Sequence, residues 1–199
     1  VGAAPTNRTD VRRAALAGLF LAATAVVAFL AHAPSAHAAP TVVGTATATS
    51  ATGSVRVARP ARVEAGDVLV ATVTARAPLG ARIGAPAGWR LLRRDTCTVG
   101  KGRRPLTQAL YLHVATASEP GATRWTVGSA TGVAAGVAAY RGIDTARPVQ
   151  AAAGRLSRNS RRAAAPSVAH GSDALVAAFF GRSARGAMAA PSGTRHRFA

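Results

Sequence analysis

The chain has 199 residues and carries 25 basic against 7 acidic side chains, a formal net charge of +18. That length suits one ordinary domain plus a targeting segment, and it can bury a core without a metal or a disulfide framework, which the single cysteine, Cys97, excludes within the chain. Only 5% of residues are aromatic, so the core must be assembled from Ala and Val spread over many strands rather than from a few large anchors.

The basic excess is almost all arginine, with Lys101 the sole lysine. Such a surface attracts nucleic acid, anionic wall polymers or anionic lipid. A GC-rich coding sequence produces the same bias, so composition favours a merely solvated basic surface over a dedicated polyanion site.

The chain opens on Val1. Arg12-Arg13 then precede an apolar run from Ala14 to Ala31, and Ala36-His37-Ala38 follows. A charged start, an apolar stretch and a small-x-small site make a secretory signal peptide over residues 1–38. Cleavage after Ala38 would leave a secreted or cell-surface protein beginning at Ala39-Pro40, with no membrane span remaining. The competing reading is an uncleaved anchor, since the run just reaches bilayer-spanning length. The twin-arginine route lacks the phenylalanine that usually follows the pair.

Beyond the signal the period changes to two. Thr41–Thr49 alternates threonine with small residues, and Ser54–Val57 alternates polar with valine, so both read as strands. Glu64-Ala65-Gly66-Asp67 is a turn, and Val68–Thr74 is rich in β-branched residues. Gly80, Gly84, Pro86 and Gly88 punctuate a loop before a strand at Trp89–Arg94, and Asp95–Thr98 reads as the lead-in to another loop. Leu106–Thr116 is the longest clear strand, with Leu110, Leu112 and Val114 on one face and Tyr111 and His113 on the other. Arg124–Val127 follows the turn Glu119-Pro120-Gly121. The small-residue run Val133–Tyr140 lies between turn signals and carries Gly136, which favours a buried strand over a helix.

An internal echo links the two ends of this region. Asp67–Arg76 (DVLVATVTAR) returns as Asp173–Arg182 (DALVAAFFGR). Pro60 and Pro166 precede the copies by the same spacing, and Ala85–Arg90 is matched by Ala190–Arg195. The expectation is therefore an antiparallel, all-β sandwich over residues 39–199, jelly-roll or Ig-like, with duplicated halves of about 41–153 and 166–199. Gly154–Ala165, rich in arginine, reads as a mobile linker between them. Nothing in the second half matches Leu106–Thr116, Arg124–Val127 or Val133–Arg141, which suggests that its last strands are missing and the chain is a fragment.

The stretches Gly66–Val70, Ala85–Trp89, Tyr111–Pro120, Trp125-Thr126 and Ala139–Asp144 resemble a poorly characterised β-sandwich module of exported bacterial surface proteins and some phage structural proteins. The most distinctive pieces are ATASEPG and AYRGID. The resemblance spans about Thr41 to Ala199 and implies fold and location; it brings no catalytic residues.

Chemistry-bearing patterns are sparse. Gly181–Gly186 has the wrong spacing for a nucleophile elbow. The carboxylates Glu64, Asp67, Asp95, Glu119, Asp144 and Asp173 fall mostly in turns, where Asp67 and Asp173 suit backbone capping better than catalysis. His113, His170 and His196 read as lone surface histidines without zinc spacing, and no metal or cofactor is expected.

Sugars stack on exposed rings, which makes Trp89 and Tyr111 the candidate ligand-binding residues, while Trp125 and Tyr140 read as core. Polyanion contact would fall to Arg155, Arg158, Arg161 and Arg162, with Arg90, Arg93, Arg94, Arg103 and Arg104 as a second group. The leading expectation is an exported, non-catalytic binding or adhesion module acting on cell-wall or extracellular polysaccharide. Polyanion binding and a purely structural role are the alternatives.

Overall fold

Alternating polar and apolar residues place one side of a pleated strand inward and the other outward, and strands form where that pattern occurs. The computed structural model describes residues 39–98, 104–157, 163–182, 189, 192–195 and 197. Its strands are β1 (Thr41–Ser50), β2 (Ser54–Ala58), β3 (Val68–Arg76), β4 (Ile83–Gly84), β5 (Arg90–Cys97), β6 (Leu106–Val114), β7 (Ala122–Val127) and β8 (Gly132–Arg141). Among the described residues there is no helix. The expected signal peptide, residues 1–38, lies outside them.

Two departures from the sequence reading are local. β5 runs on through Asp95-Thr96-Cys97, because Asp95, Thr96 and Cys97 pair with Gln108, Thr107 and Leu106. β4 forms among the punctuating glycines, where the sequence implied only a loop. It pairs only Ile83 with Val127 and Gly84 with Thr126 before Pro86, which has no N–H to donate, interrupts the chain.

The strands form an antiparallel β-sandwich. One sheet has the order β1-β8-β3-β6-β5 and the other β2-β7-β4. Only β5 and β6 are neighbours both in sequence and in a sheet; every other ladder joins segments distant along the chain.

Between the sheets, Leu69, Ala71 and Val73 of β3 and Ala135, Val137 and Ala139 of β8 meet Val55 and Val57 of β2 and Trp125 and Val127 of β7. Trp125 is fully buried, and its indole Nε1 donates to Thr123 Oγ1 at 3.3 Å. Small residues on the wide sheet leave space that one large ring on the narrow sheet fills.

The wide sheet is buried on its other side too. Val68, Leu112, Ala138 and Tyr140 are buried yet belong to the outward-pointing set of β3, β6 and β8. The chain after Arg141 crosses this face. The Arg93 Nη2 donates to Gly154 O at 3.4 Å, Gly181 lies against Thr74 and Gln108, and Thr45 Oγ1 donates to Arg197 O at 3.3 Å. Gly154 therefore sits on the sheet, where the sequence suggested a free linker.

The echo of β3 is one of sequence only in this structure. Asp173–Arg182 joins neither sheet. A strand pattern becomes a strand only when a ladder receives it, and β3 already fills the place between β6 and β8.

Candidate functional site

The aromatic candidates converge on one corner of the core. Trp89 stacks on His113 with ring centroids 5.3 Å apart and meets Trp125 edge-on at 5.1 Å. Tyr111 packs against Trp125 at 4.9 Å and is 5% exposed, and its hydroxyl donates to Ile83 O at 3.4 Å. Burial raises the Tyr111 phenol above its ordinary value. The structure thus places Tyr111 inside the core and Trp89, half-buried, against it. The His113 ring occupies one face of Trp89, and Tyr111 leaves little of its ring at the surface.

His113 is not a surface histidine, as the sequence suggested. Its Nδ1 lies 3.1 Å from Gly88 O and its Nε2 2.9 Å from Glu119 Oε2. Both partners are acceptors, so a ring N–H of His113 can donate to either of them. Glu119 is 8% exposed and also accepts from Thr116 N at 3.2 Å. Gly88 is held at φ +82, and a Cβ there would come within 3.0 Å of the His113 ring, so the turn needs glycine. The corner ties the 85–89 loop to β6 and to the turn after it. Beside it, Arg90, Leu112, His113, Val114 and Pro148 line an open groove of about 480 Å³.

The other carboxylates are similarly engaged. Asp67, 3% exposed, caps its turn by accepting from Glu64 N at 2.8 Å, as the sequence suggested. It also accepts from Arg141 Nε and Nη2, each at 2.9 Å. Those bonds hold the Asp67 carboxyl below the usual carboxylate range against the opposing effect of burial, and they raise the Arg141 guanidinium. Glu64 also reaches Arg141, at 3.1 Å. Asp95 binds Arg93 at 2.7 and 2.8 Å and raises it, and Asp144 caps Ala146 N. The acidic groups are thus largely committed to a few local partners.

What they leave uncompensated is the outer face of the narrow sheet. In β2 and β7, Val55, Val57, Trp125 and Val127 point inward, so Arg56 and Arg124 point out. The register sets Arg56 directly opposite Arg124, and both are exposed. Cross-strand partners stand about 5 Å apart at Cβ, and like charges there repel. Arg124 Nε donates to Ser54 Oγ at 2.9 Å. Among the described residues no carboxylate forms an ion pair with either arginine. Gly84 keeps the neighbouring surface low, since a Cβ there would collide with Thr126 Oγ1. Arg82, also exposed, precedes β4 at the edge of the same sheet.

Of the arginines singled out by sequence, Arg155 is exposed, while Arg158, Arg161, Arg162 and Arg103 lie outside the described residues. Arg94 donates to Ala81 O and Arg104 Nη1 to Ser129 O at 2.6 Å, so both brace loops. Sequence reasoning missed the Arg56–Arg124 pair. Alternation in Ser54–Val57 and Arg124–Val127 already puts each arginine on a polar face; their juxtaposition needs the β2–β7 register.

Among the described residues no group of three or more His, Cys, Asp or Glu could hold a metal ion. No family model, curated protein or solved structure matches the chain.

Proposed function

We propose that this chain is an exported, non-catalytic binding module that acts at the cell surface on an anionic polymer. The observation that carries the reading is the uncompensated, exposed Arg56–Arg124 pair on the outer face of the narrow sheet. Two guanidiniums held side by side on a rigid ladder destabilise the free protein slightly, and a phosphate, sulfate or carboxylate bridging them removes that cost. The net charge of +18 draws such a polymer in over a longer range. The signal-peptide pattern of residues 1–38 supports export, and N-terminal sequencing of the secreted protein tests it: a start other than Ala39 defeats the cleavage reading.

Binding is tested with polyphosphate, duplex DNA and cellulose as probes over a range of salt. Affinity for the two polyanions should fall steeply as salt rises. The Arg56→Ala/Arg124→Ala variant should lower the log–log salt slope by about 2, one for each phosphate that the missing guanidiniums no longer neutralise. Salt-insensitive binding, or an unchanged slope in the variant, defeats the reading. Retention on cellulose that Trp89→Ala abolishes would instead favour the neutral polysaccharide.

A further inference from the structure

The narrow sheet carries a third outward arginine at a fixed distance from the Arg56–Arg124 pair. β4 pairs Gly84 with Thr126 and Ile83 with Val127, and one step further Gly128 N donates to Arg82 O at 3.4 Å. Ile83 packs against the core, so its neighbours Arg82 and Gly84 face outward, and both are exposed. Arg82 therefore stands beside Gly128, four residues along the chain from Arg124. Four extended residues span about 13 Å, and one strand spacing sideways makes the separation about 14 Å. Thr126, its hydroxyl against Gly84, floors the space between together with Gly84 and Gly128, which have no side chains. Among the described residues no carboxylate forms an ion pair with Arg56, Arg82 or Arg124.

These spacings select a ligand. Phosphates joined through a three-carbon polyol repeat every six backbone bonds. An extended polypeptide covers at most about 3.6 Å in three bonds, so such a repeat reaches about 7 Å. Alternate phosphates of the chain then lie about 14 Å apart. One fits between Arg56 and Arg124, where each guanidinium can take one of its two free oxygens, and the next but one reaches Arg82. The phosphate between them lies over the Thr126 hydroxyl, a donor, on a floor without bulky side chains. Single-stranded nucleic acid has the same repeat, but its bases bind by stacking on aromatic side chains. Trp125 is the one ring in the three strands of this sheet, and it is fully buried.

We infer that the outer face of the narrow sheet binds a linear polyol phosphate, a single-chain phosphodiester polymer that runs along β7. This rests on the anionic-polymer reading of the same face and adds Arg82 as a second anchor.

Binding is read by isothermal titration on residues 37–199, a compact unit with its own core. The probes are poly(glycerol phosphate), single-stranded DNA of equal phosphate number, and a glycerol phosphate fragment with two phosphates. Arg82→Ala should weaken poly(glycerol phosphate) binding about threefold, the scale of one exposed ionic contact. It should also flatten the log–log salt slope by about 0.7, the single-chain value for one phosphate. The fragment is too short to reach Arg82 from the pair, so Arg82→Ala should leave its affinity unchanged. Arg147→Ala removes the same charge from an exposed position outside both sheets and should leave polymer binding nearly unchanged. The DNA should bind no more tightly than poly(glycerol phosphate). An Arg82→Ala effect no larger than that of Arg147→Ala, or tighter binding of the DNA, overturns the inference and leaves the Arg56–Arg124 reading standing. An Arg56→Ala/Arg124→Ala variant that loses no affinity defeats that reading, and the inference falls with it.

Discussion

The two outer faces of this sandwich are built from the same kind of strand and have opposite fates. On the narrow sheet, β2 and β7 alternate strictly: Val55, Val57, Trp125 and Val127 are buried, and Arg56, Arg124 and Thr126 are exposed. On the wide sheet, β8 is buried almost continuously, with Ala138 and Tyr140 pointing away from the core yet covered by the chain that follows Arg141. One face is left to water and carries arginine. The other became interior because the chain after Arg141 passes across it with no strand or helix among its described residues, an uncommon arrangement for so long a stretch. A strand's outward face is thus a surface only if nothing later in the chain lies down on it.

Breaking what both sheets share should have the largest effect. Trp125→Ala removes the largest fully buried side chain and should cost about 3–5 kcal/mol of stability in denaturant unfolding. The two faces should then separate cleanly. Leu112→Ala, on the covered face of β6, should cost about 2–5 kcal/mol, because its side chain is 5% exposed. Arg56→Ala, on the bare face, should stay within about 0.5 kcal/mol or raise stability slightly by relieving the like-charge pair. Equal effects at the two positions would show that the covering chain contributes no packing.

The smallest expected effects are titrations. Burial pushes the Tyr140 phenol up to about 12, and Tyr111 is raised as well. Neither of the two tyrosines should therefore titrate near the ordinary value of about 10 in the folded protein. Between the unfolded and folded values the native state holds protons that the unfolded state has lost. Stability from Tyr140 is thus full below about pH 10 and declines as pH rises towards 12. Phenolate absorbance checks this, and an ordinary Tyr140 titration would mean that the covering chain leaves the face open.

Asp67 acts at the other end of the scale. Its lowered value contributes stability above the unfolded carboxylate range of about 4, lost as pH falls through the folded value. Asp67→Asn should remove that part of the acid dependence, as acid unfolding followed by circular dichroism would show.

Much of the fold was legible residue by residue. The alternation at Ser54–Val57 and the β-branched run at Val68–Thr74 lie on strands β2 and β3, and the small-residue run Val133–Tyr140 is the buried strand β8 that Gly136 and the flanking turns implied. The site was less legible. Tyr111 and His113 share a strand face, but whether it turns inward depends on which sheet lies opposite, and the strand pattern alone left both looking like surface residues. The echo at Asp173–Arg182 misled for the same reason: it copies the residues of β3 without its neighbours β6 and β8.

The sequence by itself therefore determined the strand class, most strand positions and the polar or apolar character of each strand face, because side-chain alternation is a local property of an extended backbone. Only the tertiary structure decided that Arg56 meets Arg124, that Trp89 packs inward on His113 and that the outer face of the wide sheet is interior. Each of these depends on ladders and crossings between residues far apart in the chain. Closing such contacts is a matter of register and topology, and neither is written in any one segment.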